Sequence, residues 1–201
     1  MKRAVLVVAL VAVCVVPSFA YSVSDLSLAV VPDFGWGIVA NGGTQGPSIM
    51  LWVFPGDDWK GSLAWTRANI VMSRLVQHAA KFTRVNLGQI YLTQVVGDED
   101  YAIMVEAVED GVLRKYELVT IDDRISKAYG ATNAQLGMFW LKRLKALAIL
   151  ASPQPGPWVR SEEAGSNSEV ELAKAILANW RDWRSVESIK ASAPAYMSAQ
   201  F

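Results

Sequence analysis

The run YAIMVEAVEDGVLRKYELVTI, residues 101–121, decides the fold. Tyr101, Ile103, Val105 and Ala107 alternate with Ala102, Met104, Glu106 and Val108, which is the two-residue period of a strand with one mostly buried face. Asp110-Gly111 follows, a pair that tolerates positive φ at both positions and so predicts a tight hairpin into a second strand over 112–121. On the other side, Gly97-Asp98-Glu99-Asp100 predicts a looser turn back to a strand over 85–96. Together these segments form a three-stranded antiparallel meander.

Working outward, the N-terminal part repeats the strand signal. Apolar runs at 25–31, 35–40 and 48–54 are separated by Pro32-Asp33 and by Asn41-Gly42-Gly43, which read as turns. The spacing then changes: Ala64, Ala68, Val71, Met72, Leu75, Ala79 and Phe82 recur every three or four residues and predict an amphipathic helix over 61–82. Asp57 and Asp58 are placed to cap its start, and Lys81 and Arg84 suit the negative end of its dipole. After the meander, Thr132 and Gln135 have the spacing of a capping box, with Leu136, Trp140, Leu144 and Leu147 on one face of the helix they open. Lys142, Arg143 and Lys145 break its apolar character, so it does not read as membrane-spanning.

A Pro/Gly/Ser-rich loop over 152–168 stops this helix. A last helix is predicted from Ser168, with Glu171 as its capping partner and Leu172, Ile176, Trp180 and Trp183 on its apolar side. The expected fold is α+β: an antiparallel sheet in βββα-βββα order, helices on one face, and a C-terminal helix after the Pro-rich linker. The core domain is 21–151, and the segment 169–201 packs on it as the most readily detached element.

Residues 1–20 carry Lys2 and Arg3, an apolar run from Ala4 to Val16, then Pro17 and the small-x-small triplet Ser18-Phe19-Ala20. This is the pattern of a secretory signal peptide. Cleavage after Ala20 would start the mature chain at Tyr21 and remove Cys14, the one cysteine. Two other readings keep the segment: an uncharged stretch over 4–24 long enough to anchor in a bilayer, or acylation at Cys14, although Val13 stands where a lipoprotein signal carries a small residue. The expected location is periplasmic or secreted, in a bacterial envelope.

Loss of Lys2 and Arg3 with the leader takes the formal charge from 0 to about −2, which gives no basic face for nucleic acid. One histidine and no mature thiol leave no cysteine nucleophile and no His-rich zinc site. No P-loop or Gly-x-Ser-x-Gly occurs. Gly35-x-Gly37-x-x-Ala40 leads into Asn41-Gly42-Gly43 where a dinucleotide site needs a helix. No cofactor is expected.

The candidates that remain are few. Trp65, Trp140 and Trp180 fall on apolar helical faces, whereas Trp158 in the loop, and Trp183 beside Arg184, have fewer apolar neighbours and suit a contact surface, because aromatics with adjacent arginine are typical anchors. The competing reading has Trp158 folded back as a lid on the core. His78 flanks the apolar face of the first helix and reads first as a structural histidine, with a pH-sensing or catalytic role as the alternative. The hairpin register brings Asp98, Glu99 and Asp100 towards Asp122 and Asp123; no metal is assigned, but Asp98, Asp100, Asp122 and Asp123 are the ligands were a divalent cation bound. Arg124 and Lys127 are placed to neutralise them.

The expected function is a non-enzymatic envelope protein, a binding or assembly module for a protein partner or an apolar ligand. The alternative is a hydrolase of cell-wall glycan, in which Asp57 and Asp58 beside Trp52 and Trp59, or the 98–100 turn, supply acid and base.

Overall fold

The computed structural model describes residues 21–42 except 22 and 24, residues 47–151 except 83, and residues 164–185. The leader 1–20, the loop with Trp158 and the segment after 185 lie outside the described residues.

Two three-stranded antiparallel sheets form, rather than one continuous sheet. The first joins β1 (Leu26–Val31), β2 (Gly35–Ala40) and β3 (Ile49–Pro55) in that order; the second joins β4 (Ile90–Gln94), β5 (Tyr101–Glu109) and β6 (Val112–Ile121). The helices are α1 (Leu63–Gln77), α2 (Asp123–Ala128), α3 (Asn133–Ala151) and α4 (Ala164–Ala178). The arrangement is α+β, with α1 following the first sheet, α2 and α3 the second, and α4 closing over α3.

The deciding hairpin folds as its sequence dictates. Asp110 and Gly111 take φ of 53° and 76°, the left-handed pair of a two-residue turn. A bulge between Ile103 and Met104 adds Leu118 to β6, so that Leu118 and Val119 are both buried. β4 starts at Ile90, later than the predicted 85, because residues 84–89 form a 3₁₀ turn.

Four consecutive residues of β3, 51–54, are fully buried, so both faces of that strand are covered. Trp52 stacks on Trp140 of α3 at 5.3 Å and its Nε1 donates to the Trp140 carbonyl at 3.0 Å; Phe54 meets the same indole edge-on. α3 also presses on the second sheet, where Gly137 leaves room for Leu92: a Cβ there would stand 2.7 Å from Leu92 Cδ1.

The helix starts differ from the sequence reading in instructive ways. Ser62, and neither Asp57 nor Asp58, caps α1: its Oγ accepts from Trp65 N at 3.1 Å, and both acids are exposed. α1 ends at Gln77 with Arg74 in its last turn, and Lys81 belongs to a following 3₁₀ turn. α2 was not predicted; Asp122 caps it by accepting from Ile125 N at 2.9 Å. The capping box of α3 is reciprocal, with Gln135 N donating to Thr132 Oγ1 at 3.2 Å and Thr132 N donating to Gln135 Oε1 at 2.9 Å. α4 begins at Ala164, four residues before the predicted Ser168, and Glu171 pairs with Lys174 instead of capping.

Arg143 joins α4 to the core by hydrogen bonds. The sequence made it a break in the apolar character of α3, yet it is fully buried. Its Nε donates to Leu51 O at 2.8 Å, and Nη2 reaches Met50 O. Nη1 donates to Ile176 O at 2.7 Å and Asn179 O at 2.9 Å. A further bond from Nη2 to Leu177 O spans 3.3 Å. One guanidinium thus ties β3 to the last turn of α4, where carbonyls lack helical partners and the helix dipole favours a cation. Burial pushes its pKa down to about 10, so it stays charged at neutral pH.

The same bonds close one edge of the first sheet. The hydrogen bond from Asn41 N to Asp25 O, carried along the register, puts residues 35, 37 and 39 of β2 on the β1 ladder and 36, 38 and 40 on the β3 ladder. The outward backbone of β3 therefore falls at 51, 53 and 55. Leu51 O accepts from Arg143, Val53 O accepts from Tyr129 Oη at 2.8 Å, and Pro55 has no N–H to offer.

Candidate functional site

Three groups of polar and aromatic side chains stand out from the core. At one end, the chain leaving α4 packs around the β1–β2 turn. The Phe34 ring sits edge-on to Trp180 at 5.0 Å and to Tyr129 at 5.2 Å, with the Arg181 guanidinium 5.2 Å over it. Three residues on, Arg184 lies 4.8 Å over the ring of Trp183. Trp183 is half-buried against the core, its indole N–H enclosed with no hydrogen-bond partner among the described residues, while Arg181 and Arg184 are exposed. The two Arg–aromatic pairs are cation–π contacts worth about 0.5–1 kcal/mol each at exposed sites. The sequence singled out Trp183 and Arg184; it did not find Phe34 and Arg181, which come together only because the β1–β2 turn meets the end of α4.

The second group is the acid cluster. Tyr101 pairs with Ile121, which sets Asp100 beside Asp122. The acids converge as the register requires: partial burial first, then the negative Asp98, Asp122 and Asp123, raise the Asp100 pKa. Each of the other two has its own cation. Arg67 Nη2 meets Asp122 Oδ2 at 2.7 Å and Lys127 Nζ meets Asp123 Oδ2 at 2.7 Å. Burial raises Asp122, but the Arg67 hydrogen bond and the cap N–H of Ile125 outweigh it, and its pKa is lowered. Lys127 and Asn133 hold Asp123 low. The neutralising arginine is Arg67 from α1, not Arg124. Among the described residues no set of three or more His, Cys, Asp or Glu is arranged to hold a metal ion. The open hollow of about 600 Å³ beside this end is bounded by the single turn 94–99.

The third group surrounds His78, which is buried at the C-terminal end of α1. Its ring lies 4.4 Å from that of Tyr116, and its Nδ1 is 3.4 Å from Lys81 Nζ. Lys81 pairs with Glu109 Oε1 at 2.7 Å, Tyr116 Oη donates to Glu109 Oε2, and Arg114 Nε stands 3.7 Å from the same oxygen. Lys81 also sits 4.6 Å over the Tyr116 ring. Lys81 first, then Tyr116, lowers the Glu109 pKa; the Glu109 bond raises Tyr116. Burial first, and then Lys81, lowers His78 against the pull of Glu109. Glu109 is thereby a shared acceptor that braces the β5–β6 hairpin against the turn after α1. Sequence reading set Lys81 only against the dipole of the first helix and passed over Glu109 and Tyr116, because nothing in the sequence links residues on three different elements.

The two tryptophans of the glycan reading part company. Trp52 is sealed in the core, whereas Trp59 is 60% exposed near Asp57 and Asp58. Trp65 is half-buried and Trp140 fully buried. Trp158 lies outside the described residues. Among the described residues no helix is long and apolar enough to cross a membrane. No protein family, curated protein or solved structure matches the chain.

Proposed function

We propose that this chain is an exported binding or assembly module of the envelope, non-enzymatic, which docks a protein partner through the end of the fold carrying Trp183 and Arg184. The observation that carries the reading is the pair of Arg–aromatic contacts there, Arg184 over Trp183 and Arg181 over Phe34. A half-buried, pre-oriented indole under an exposed guanidinium has little rotamer freedom left to lose on binding, and such residues dominate interface energies. The leader pattern at 1–20 supports export. A protein partner suits this place better than an apolar ligand, since both arginines are exposed.

Crosslinking in intact cells followed by recovery of the tagged chain tests the reading. Trp183→Ala and Arg184→Ala are expected to reduce recovery of the partner at least tenfold with the circular dichroism unchanged, and the mature chain is expected to begin at Tyr21. Undiminished recovery in both variants, or a cytosolic chain that keeps residues 1–20, would overturn it.

A further inference from the structure

We infer that β1 is an open docking edge which accepts an extended segment of another protein, apolar at its centre and flanked by Lys or Arg. The two edges of the first sheet differ in kind. The outward backbone of β3 meets Arg143 and Tyr129 and ends in Pro55. β1 turns its ladder groups at 25, 27, 29 and 31 to β2, which leaves the N–H and C=O of Leu26, Leu28 and Val30 facing outward. Among the described residues no hydrogen bond reaches these groups.

Natural edges are blunted by charge, proline, a bulge or a covering element. β1, LSLAVV, has neither charge nor proline, and its bulge-free register runs unbroken from Leu26 to Val31. Val30 is 45% exposed. Such a strand offers main-chain bonds at every second residue to an added strand.

Charge selects the occupant. Asp25 precedes the strand and Asp33 follows it, and neither is in an ion pair among the described residues; Asp25 only accepts from Asn41 Nδ2 at 3.3 Å. Arg181, which reaches the turn, is engaged over Phe34. A second copy pairing about a two-fold axis at Leu28 would set Asp25 opposite Val31, two positions from the other copy's Asp33, and would do so at both ends. Like charges so placed repel. A foreign strand with basic flanks gains at both ends instead, and in either direction, because the acids bracket β1 symmetrically.

This inference does not rest on Trp183. It is tested on the full mature chain with two synthetic peptides, KTVTVTVK and ETVTVTVE, by fluorescence anisotropy at low salt and by amide hydrogen exchange. The basic peptide is expected to bind about fivefold more tightly, the ratio two exposed charge contacts give, and to slow exchange at Leu26, Leu28 and Val30. Asp25→Asn with Asp33→Asn should bring the two peptides level. Val30→Pro removes an outward N–H while breaking no ladder bond and should abolish binding, whereas Trp183→Ala should leave it intact. Failure of the basic peptide to bind, equal binding of both peptides to the unmodified chain, protection elsewhere than β1, or a dimer in sedimentation that Val30→Pro dissolves would each overturn the inference.

Discussion

Replacing Arg143 by methionine preserves most of the side-chain volume and removes every donor. Five carbonyls, at Met50, Leu51, Ile176, Leu177 and Asn179, then lose their guanidinium partner. A hydrogen bond to a charged group contributes about 1.5–3 kcal/mol, and a buried acceptor left unsatisfied costs about 1–3 kcal/mol. Simple addition overshoots, because the substitution also removes the desolvation cost of a buried cation and the last-turn carbonyls of α4 can tilt towards water. The Leu51 carbonyl has no such escape, since both faces of the strand are covered over 51–54. Breaking a buried charged contact from one side costs about 3–5 kcal/mol, and about 4 kcal/mol is expected here. That is a large share of a stability of about 5–15 kcal/mol. With a urea slope of about 2 kcal/mol/M, the unfolding midpoint should fall by about 2 M. Hydrogen exchange at the amides of Ile176 and Leu177 should rise more than exchange in β5, because α4 loses its tether. A midpoint shift below about 0.5 M, with α4 no more labile than β5, would refute the assignment of Arg143 as the link between β3 and α4.

Three further outcomes are expected. Tyr129→Phe strands Val53 O and should cost about 1–2 kcal/mol in the same titration, without changing the urea slope. His78 has a folded pKa below its ordinary 6.5, so below that pH the unfolded chain takes up its proton first and the native state loses stability as pH falls. His78→Gln should flatten the stability profile between pH 6.5 and 5, and an unchanged slope there would remove His78 as its source. Thr132→Ala breaks the capping box of α3 and should cost about 1 kcal/mol, with faster amide exchange confined to its first turn.

Features written in neighbouring residues were legible. The Asp110-Gly111 turn, the strands that flank it, the N-terminal strand triplet and the Thr132–Gln135 box each depend on residues a few positions apart, and each formed. Long-range partnerships were not. Arg143 reads as a break in an apolar helix until residues 50, 51 and 176–179 are brought round it. Glu109 gathers Lys81, Tyr116 and Arg114 from separate elements. α2 escaped notice because six residues carry too little periodicity, although Asp122 and the Asp123–Lys127 spacing were a start signal and a supporting pair. Of the candidate site, Trp183 and Arg184 were visible as an aromatic next to a cation. Phe34 and Arg181 needed the turn and the helix end to meet. The acid cluster was legible from hairpin register alone, and what sequence could not supply was Arg67, 55 residues from Asp122 along the chain and 2.7 Å away in space.

The sealed flank of β3 limits what this sheet can build. Growth of a fibril by stacking identical subunits needs two receptive flanks, one to give and one to receive. Arg143, Tyr129 and Pro55 withhold the receiving side. Whatever pairs with the opposite flank therefore finishes the ribbon at a fixed size, and the chain can hold a lone guest without seeding a polymer of itself.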